Sequence, residues 1–225
     1  KNIVVCGTDG SGAATAELAW GLMISLARHI GYEREQMRSG HWQSTIGMDI
    51  KGKTLGIIGL GKLGSRMARY GQAFEMNVLA WSQNLTVEAA RAAGATRVDK
   101  DELFKRSDVI TIHTKLSERT QGLIGGREFA LMKPTAYLIN TSRGPIVDEA
   151  ALLAALQSNR IGGAGIDVYE HEPLAADHPL RKEPRALVTP HIGYVTEDTY
   201  RQFYGGTVAA IEAWLQGRPI QVLKA

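Results

Sequence analysis

Short runs of apolar residues alternate along this chain with longer stretches in which apolar positions recur at helical spacing. This alternation is typical of βαβ units and of a parallel sheet. We therefore predict an α/β fold with a Rossmann-type, doubly wound parallel sheet. The six predicted strands cover residues 54–58, 77–81, 108–114, 136–140, 165–169 and 186–189.

The predicted helices lie between these strands and at both ends of the sheet region. They cover residues 14–30, 62–74, 148–157 and about 197–215, and one more begins near Asp99. Glu102 stands three residues after Asp99, which is the spacing of a capping box. The helix at 14–30 is apolar on nearly every side, so we expect it to be buried between layers. The last helix has no strand after it and need not belong to the sheet domain.

A glycine-rich turn links the first predicted strand to the helix that follows it. Gly59, Gly61 and Gly64 have the spacing GxGxxG, and Lys62 and Leu63 lie between the last two glycines. The first glycine permits a tight turn, the second allows close approach of a pyrophosphate, and the third allows the helix to pack on the strand. The motif alone is weak, but its position between a strand and a helix predicts a dinucleotide site at these five residues.

The end of the second predicted strand determines which nucleotide is preferred. An acidic residue there would hold the ribose 2′-hydroxyl of NAD, whereas this chain has Ser82, Gln83 and Asn84 after Trp81. Ser82, Gln83 and Asn84 could hydrogen-bond either a hydroxyl or a 2′-phosphate, and no arginine is present to neutralise a phosphate. The choice between NAD and NADP therefore stays open, with a slight lean towards tolerance of NADP.

Charge and cysteine usage narrow the class of protein. Lysine and arginine total 26 against 23 aspartate and glutamate residues, and no run of like charges suits a phosphate backbone, so we expect no nucleic-acid partner. The longest apolar stretch, 18–27, is too short to span a bilayer, and no signal peptide is visible, so we expect no membrane association. Cys6 follows an apolar run, which predicts a buried thiol in a reducing, cytoplasmic compartment.

Three further motifs follow predicted strands, where ligands bind in open α/β sheets. They are the segments 139–148 (INTSRGPIVD), 165–173 (GIDVYEHEP) and 188–193 (VTPHIG). Together with the glycine turn and Gly-His-Trp at 40–42, they resemble the D-isomer-specific 2-hydroxyacid dehydrogenases over almost the whole chain. The resemblance implies an enzyme that transfers a hydride between NAD or NADP and a small D-2-hydroxy acid or 2-keto acid. It includes phosphoglycerate, glycerate and D-lactate dehydrogenases without singling one out.

By that resemblance the catalytic residues would be Arg143, Glu172 and His191. A guanidinium can bind the substrate carboxylate and polarise the carbonyl oxygen beside it. An imidazole suits proton delivery near neutral pH, and a carboxylate bonded to it would favour its charged form. Glu170 stands two residues before Glu172 and competes for this role, and we choose Glu172 because it directly precedes Pro173, as in the family.

The resemblance also implies further contacts with the cofactor. Lys115 stands where the family has proline, which puts the rigidity of that loop in doubt. The histidine side chains at 113, 171 and 178 are interpreted as structural or solvent-facing, since no pair has a metal-ligand spacing, and no metal is expected. The implied cofactor-binding positions are His113, Thr114, Thr120, Thr141, Ser142, Asp167, His191 and Gly193.

We predict that residues 8–193 form the cofactor domain. Residues 1–7 resemble the last strand of a flavodoxin-like substrate domain, 8–12 a hinge, and 194–225 the segment that returns to that domain. The chain begins at Lys1 without an initiator methionine, so we expect residues before it. We also expect a homodimer.

Two other functions share this resemblance. Transcriptional corepressors on the same scaffold keep the Arg, Glu and His and use NAD(H) binding to control assembly, and nothing in the chain resembles a peptide-docking tail. Formate dehydrogenases are a second alternative, but they carry Gln before the corresponding proline, so Glu172 argues against them.

Overall fold

A computed structural model describes residues 3–10 and 12–223 of the chain. These residues form two compact units. The larger unit is Thr15–Gly193, and the smaller one combines Lys1–Ala14 with Tyr194–Ala225. The larger unit ends at Gly193, the end of the predicted cofactor domain, and the predicted bounds of 8–193 for that domain stay a prediction. The assignment of the smaller unit to a substrate domain stays a prediction.

The larger unit is built on one sheet of seven parallel strands in the order β3-β2-β1-β4-β5-β6-β7. The order reverses between β1 and β4, and ligands bind beyond the carboxyl ends of the strands at such a point. The predicted doubly wound α/β class is therefore confirmed. The strands are β1 (Thr54–Ile58), β2 (Asn77–Trp81), β3 (Thr96–Arg97), β4 (Val109–Ile112), β5 (Tyr137–Asn140), β6 (Gly163–Ile166) and β7 (Ala186–Val188).

Helices cover the faces of the sheet, and the smaller unit contains a long helix of its own. Their amino ends carry side-chain caps in several places, as when the Asp148 carboxylate accepts a hydrogen bond from the Ala151 N–H (2.9 Å). The helices are α1 (Ala13–Ala27), α2 (Ile30–Arg38), α3 (Lys62–Ala73), α4 (Val87–Ala92), α5 (Lys100–Arg106), α6 (Gly126–Leu131), α7 (Glu149–Gln157) and α8 (Glu197–Leu215).

The core lies on both faces of the sheet because successive residues of a strand point to opposite sides. Ile57 and Leu138 belong to different buried clusters from their chain neighbours Ile58 and Ile139. All four of these side chains are almost completely buried. Burial of one such side chain stabilises the fold by roughly 1.5–3 kcal/mol, so the central strands are firmly held.

Several predicted elements differ from the structure for local reasons. The short edge strand β3 and the helices α2, α4 and α6 were not predicted. The predicted helix 14–30 ends at Ala27 because His29 adopts a left-handed conformation (φ 50°), and only one face is fully buried. Asp99 does precede α5, but its side chain pairs with Arg97 (3.0 Å) and makes no capping bond, so the predicted capping box is wrong.

Residues 1–7 were predicted as a strand with a buried cysteine, followed by a hinge at 8–12. In the structure the segment at 3–10 pairs with other backbone at one bridge, between Cys6 and Val222, and Cys6 is only half-buried. The prediction of a buried thiol is wrong, because the apolar run before Cys6 is itself largely exposed: Ile3 is 71%, Val4 46% and Val5 54% exposed. Lys1, Asn2 and Ser11, which belong to the predicted strand and hinge, lie outside the described residues.

The smaller unit also contains α8, whose bounds match the predicted helix. The Thr196 hydroxyl caps it by accepting from the Thr199 N–H (3.2 Å). Within the described parts of the chain, none of the helices combines the length and apolar character that a membrane span requires.

Candidate cofactor and catalytic site

The glycine turn is fixed by close backbone contacts at the carboxyl ends of β1, β2 and β4. Gly59 has a φ of 91°, and its N–H donates to the Trp81 carbonyl (2.9 Å). A Cβ on Gly59 would lie 2.6 Å from the His113 carbonyl oxygen. Both the backbone conformation and the lack of space require glycine here.

Gly61 and Gly64 meet opposite surroundings. A Cβ on Gly64 would lie 2.0 Å from the Gly59 carbonyl oxygen, so this glycine allows α3 to lie against the turn. A Cβ on Gly61 would have no heavy atom within 4 Å and would point into open space. The fold itself therefore does not require glycine at 61. The open space fits the prediction that Gly61 lets a pyrophosphate approach the backbone, which stays a prediction.

The amino end of α3 faces the same region. Gly61 precedes the helix and supplies no capping side chain, and Lys62 and Leu63 form its first turn. The first N–H groups of a helix lack intrahelical partners, and the helix dipole adds partial positive charge. This end of α3 is suited to bind a phosphate anion.

The second strand, β2, ends at Trp81, as predicted. Ser82 is half-buried, while Gln83 and Asn84 are exposed in the turn that follows. Because the Gly59 N–H is bonded to the Trp81 carbonyl, this turn lies next to the glycine turn. Its neutral side chains neither repel nor neutralise a 2′-phosphate.

Two buried polar atoms without hydrogen-bond partners lie in the middle of the carboxyl edge. Ile112 pairs with Asn140 in the sheet register, so His113 and Thr141 come next on adjacent strands. The Nε2 atom of His113 bonds the Thr111 hydroxyl (2.8 Å), but its Nδ1 and the Thr141 hydroxyl have no partner. Burial lowers the pKa of His113 to about 4, so its ring is neutral at physiological pH.

The loop that carries Arg143 is held by side chains just after β5. The Ser142 hydroxyl donates to the Ile112 carbonyl (2.6 Å), and the Asn140 amide donates to the Arg143 carbonyl (3.0 Å). The Arg143 residue itself is exposed. A Cβ on Gly144 would lie 2.0 Å from the Tyr169 carbonyl, so this loop packs tightly on the one that carries Glu172.

Glu172 and His191 form a hydrogen-bonded pair. The distance from His191 Nδ1 to Glu172 Oε2 is 2.6 Å, and both side chains are 35% exposed. The other carboxylate oxygen of Glu172 accepts from the Tyr169 N–H (2.9 Å). Burial favours a higher pKa for Glu172, but the bonds from His191 and Tyr169 and the charges of His191 and Arg143 outweigh it and lower the pKa. Glu170, the competing carboxylate, is exposed.

An open cavity of about 430 Å³ lies against this pair. Its walls are mainly apolar and aromatic, with the imidazole and the carboxylate among the polar groups. The lining residues are Tyr169, Glu172, Pro173, Leu174, Arg181, Val188, Thr189, Pro190 and His191.

Asp167 lies completely buried beneath the loop that carries His191. One of its oxygens accepts from the Thr189 hydroxyl (2.6 Å) and the Ile192 N–H (2.9 Å), and the other accepts from the Gly193 N–H (2.8 Å). These bonds direct the carboxylate of Asp167 towards the loop. The prediction that Asp167 and Gly193 contact the cofactor stays a prediction.

The loop 114–120 is held by Thr120, one of the predicted cofactor-binding residues. The Thr120 hydroxyl donates to the Lys115 carbonyl (2.7 Å) and accepts from the Ser117 N–H (2.8 Å). These bonds stabilise the loop although Lys115 replaces the proline of the family. Thr114 is half-buried, and for Thr114 and Thr120 a role in cofactor binding stays a prediction.

Sequence reasoning missed Asn140 and Thr189, which hold the loops of Arg143 and His191. Both residues stand at or just after the end of a strand, where short polar side chains often bond nearby backbone. Their position at strand ends could have identified Asn140 and Thr189 in the sequence as residues that hold the loops.

The open side of Gly61, the amino end of α3 and the unpartnered atoms of His113 and Thr141 fit a phosphate-bearing cofactor at this edge. No group of acidic, histidine or cysteine side chains among residues 3–10 and 12–223 has the arrangement of a metal site. The fold and the turn together define a dinucleotide-binding domain of the Rossmann type.

Comparison with known proteins places this domain in a family. The model of the D-isomer specific 2-hydroxyacid dehydrogenase NAD binding domain matches residues 20–193, and the chain belongs to this family. The family resemblance and the prediction of a nicotinamide dinucleotide cofactor are thereby confirmed.

Individual relatives carry several names. The chain is 41% identical to a Synechocystis D-3-phosphoglycerate dehydrogenase, covering 87% of this chain and 36% of that protein. It is 36% identical to an Aeropyrum pernix glyoxylate reductase, covering 91% and 64% respectively. The structure of an Aquifex aeolicus D-lactate dehydrogenase complexed with NAD and lactic acid superposes with a TM-score of 0.86 at 30% identity, covering 96% and 70%. The chain thus spans little more than a third of the first of these relatives.

Proposed function

We propose that the protein containing this chain is an oxidoreductase that interconverts a small D-2-hydroxy acid and its 2-keto acid with NAD or NADP. The 2.6 Å hydrogen bond between His191 and Glu172 carries this proposal. It holds an imidazole at the same sheet edge as the glycine turn and the Arg143 loop. Membership of the dehydrogenase family supports the reaction class.

The bound nicotinamide would supply or accept the hydride at the substrate carbon. Arg143 binds the substrate carboxylate and polarises the neighbouring carbonyl oxygen through its guanidinium. In reduction, protonated His191 transfers a proton from Nε2 to that oxygen while its Nδ1 stays bonded to Glu172. The products are the hydroxy acid and neutral His191, and in the oxidative direction neutral His191 takes the hydroxyl proton. Glu172, ionised because its pKa is lowered, stabilises the imidazolium.

The assembly expected from the sequence is also part of this proposal. Residues 39–50 form an arm without regular secondary structure, on which Trp42 is 79% and Ile46 is 91% exposed. Glu33 holds the arm in place by accepting hydrogen bonds from Ser44 and Thr45. We propose that this ordered apolar arm contacts a second copy of the chain in a homodimer. The half-buried free thiol of Cys6 supports a reducing, cytoplasmic location.

Sedimentation analysis tests the dimer. A Trp42→Ser variant should shift the equilibrium towards monomer, whereas Trp214→Ser, which alters an exposed tryptophan on α8, should not. A monomeric wild-type protein would contradict this part of the proposal.

A panel of 2-keto acids tests the reaction. Full-length protein should oxidise NADH or NADPH in the presence of glyoxylate, pyruvate or phosphohydroxypyruvate, the keto acids that correspond to the names of the relatives. Cofactor binding without reduction of any 2-keto acid would contradict the proposal and favour the nucleotide-sensing alternative.

A further inference from the structure

Asp167 accepts hydrogen bonds from residues before and after His191 in the loop that carries this histidine. We propose that Asp167, together with Thr189, is a positioning residue that sets the orientation and the tautomer of the His191 imidazole. This inference rests on the proposed function for its catalytic consequence but not for its structural one.

The contacts of Asp167 bracket His191 along the chain. Thr189 lies two residues before the histidine, and Ile192 and Gly193 follow it directly. The donors comprise one hydroxyl and two backbone N–H groups, within 2.6–2.9 Å of the carboxylate. Bonds from both sides leave His191 little freedom to rotate its backbone.

His191 needs this support because its backbone is in the left-handed region, with φ at 55°. A residue other than glycine adopts that conformation at a cost, and surrounding contacts must hold it there. The three hydrogen bonds to Asp167 provide such contacts. A second anchor comes from Thr15, whose hydroxyl donates to the Gly193 carbonyl (3.0 Å).

The carboxylate also explains why position 193 is glycine. A Cβ there would lie 3.1 Å from Asp167 Oδ2 and 3.3 Å from the Thr15 methyl. A side chain would push the loop away from Asp167, and the bond to the Gly193 N–H would lengthen. The loop is therefore shaped to contact this carboxylate.

Loop position determines which imidazole nitrogen carries the proton. With the loop in place, Nδ1 lies 2.6 Å from the Glu172 carboxylate, which can only accept, so the neutral ring carries its proton on Nδ1. Nε2 is then the atom that accepts a proton from substrate. An imidazole released from Glu172 would favour the other tautomer, the form that predominates in free histidine.

Substitution of Asp167 by Asn removes part of this support. An amide has one accepting oxygen, while the three donors approach both oxygens, so its NH₂ group must face a donor. Thr189→Val is a milder change that removes the hydroxyl and keeps the shape. Asp108→Asn is the matched control, because Asp108 also accepts from a backbone N–H, that of Thr54 (2.8 Å), and from a side chain, but before β4.

The experiment has two readouts. The first is the tautomer of His191 in the cofactor-free full-length protein, followed by long-range ¹H–¹⁵N correlation spectra and assigned by comparison with His191→Ala. Wild type and Asp108→Asn should show the Nδ1–H form, Asp167→Asn should show a mixture or the Nε2–H form, and Thr189→Val should lie between them. An Asp167→Asn spectrum like that of wild type would overturn the proposal. If Asp167→Asn does not fold, the spectrum of Thr189→Val tests the proposal, and a wild-type spectrum in that variant would overturn it.

The second readout is kinetic and uses the full-length protein. Asp167→Asn should lower the turnover rate for keto-acid reduction roughly 10²-fold, the effect of displacing a reacting group by about 1 Å. The dissociation constant for NADH, measured by fluorescence, separates this role from direct contact with the cofactor, because positioning of His191 predicts that turnover falls by a larger factor than NADH affinity. A large rise in that constant with unchanged turnover would overturn the proposal in favour of direct cofactor contact. A wild-type protein with the expected tautomer but no keto-acid reduction would instead refute the proposed function.

Discussion

The two halves of the carboxyl edge are built from different parts of the chain. Around β1 and β2, backbone groups form the site: three glycines and the amino end of α3 leave an open space beside Gly61. Around β5, β6 and β7, side chains form it, as Asn140, Asp167 and Glu172 hold the loops of Arg143 and His191. Backbone suits a ligand part common to many enzymes, whereas side chains can be tuned to one reaction. We therefore expect a substitution in the backbone half to change NADH affinity and a substitution in the side-chain half to change turnover.

The largest effect should follow from removal of the proton donor in the side-chain half. His191→Ala should lower keto-acid reduction by about 10²–10⁴-fold, the usual contribution of a general acid. NADH affinity should stay close to that of wild type, because the glycine turn is untouched. Steady-state kinetics on full-length protein measure the loss, and wild-type turnover in the variant would refute the role of His191.

His113, between the halves, should affect stability rather than chemistry. Its pKa is about 4 in the folded chain and near 6.5 as an unperturbed group, so the unfolded chain takes up a proton first as the pH falls. Stability should therefore decrease from about pH 6.5 down to about pH 4, by about 3 kcal/mol in total from this group. Urea unfolding at several pH values should show a weaker pH dependence for His113→Gln. Identical pH dependence in both proteins would contradict a buried, neutral His113.

Substitutions at two glycines of the backbone half should affect different quantities, NADH affinity at Gly61 and thermal stability at Gly64. Gly61→Ala should leave thermal stability nearly unchanged but weaken NADH binding about tenfold or more, because a methyl group would displace phosphate from N–H groups that contribute about 1.5–3 kcal/mol each. Gly64→Ala should lower stability, since its Cβ would meet the Gly59 carbonyl at 2.0 Å. Calorimetry of unfolding and NADH titration separate the two. Unchanged NADH affinity in Gly61→Ala would place the phosphates elsewhere.

The two neighbouring glutamates should differ in their effect on turnover. Glu172→Gln should lower the turnover rate of keto-acid reduction, because an amide does not carry the negative charge that stabilises the imidazolium bonded to it at 2.6 Å. Glu170→Gln should leave the rate unchanged, since Glu170 is exposed, and steady-state kinetics on full-length protein measure both variants. The reverse result would assign the role to Glu170.

The smallest effect should concern cofactor preference. Ser82→Asp should shift the ratio of kcat/KM values towards NADH by about fivefold, because a carboxylate accepts from the 2′-hydroxyl and repels a 2′-phosphate by about 1 kcal/mol where water fully screens the two charges. Asn84→Asp is the control, two residues further along an exposed turn. Equal shifts in both variants would show that general charge, not contact with the ribose, sets the preference.

The backbone half could be predicted from the sequence because its requirements are local. Gly59 and Gly64 are needed by a turn within six residues, and the strand that ends at Trp81 was predicted with its correct bounds. The side-chain half depends on contacts between distant residues. The bonds from Asp167 to Ile192 and Gly193 join positions 25 and 26 residues apart, and no spacing in the sequence reveals them. The neutral state of His113 likewise follows from burial by strands that are far apart in the chain.

The division of the carboxyl edge into two halves is tested most directly by measuring two quantities on the same three proteins. For wild type, Gly61→Ala and His191→Ala, these are the dissociation constant for NADH and the turnover rate of keto-acid reduction at saturating NADH. We expect Gly61→Ala to weaken NADH binding while largely retaining turnover, and His191→Ala to lower turnover by about 10²–10⁴-fold while retaining NADH binding. If both variants change the same quantity, or if His191→Ala retains wild-type turnover, the division into a cofactor-binding half and a proton-transferring half is wrong.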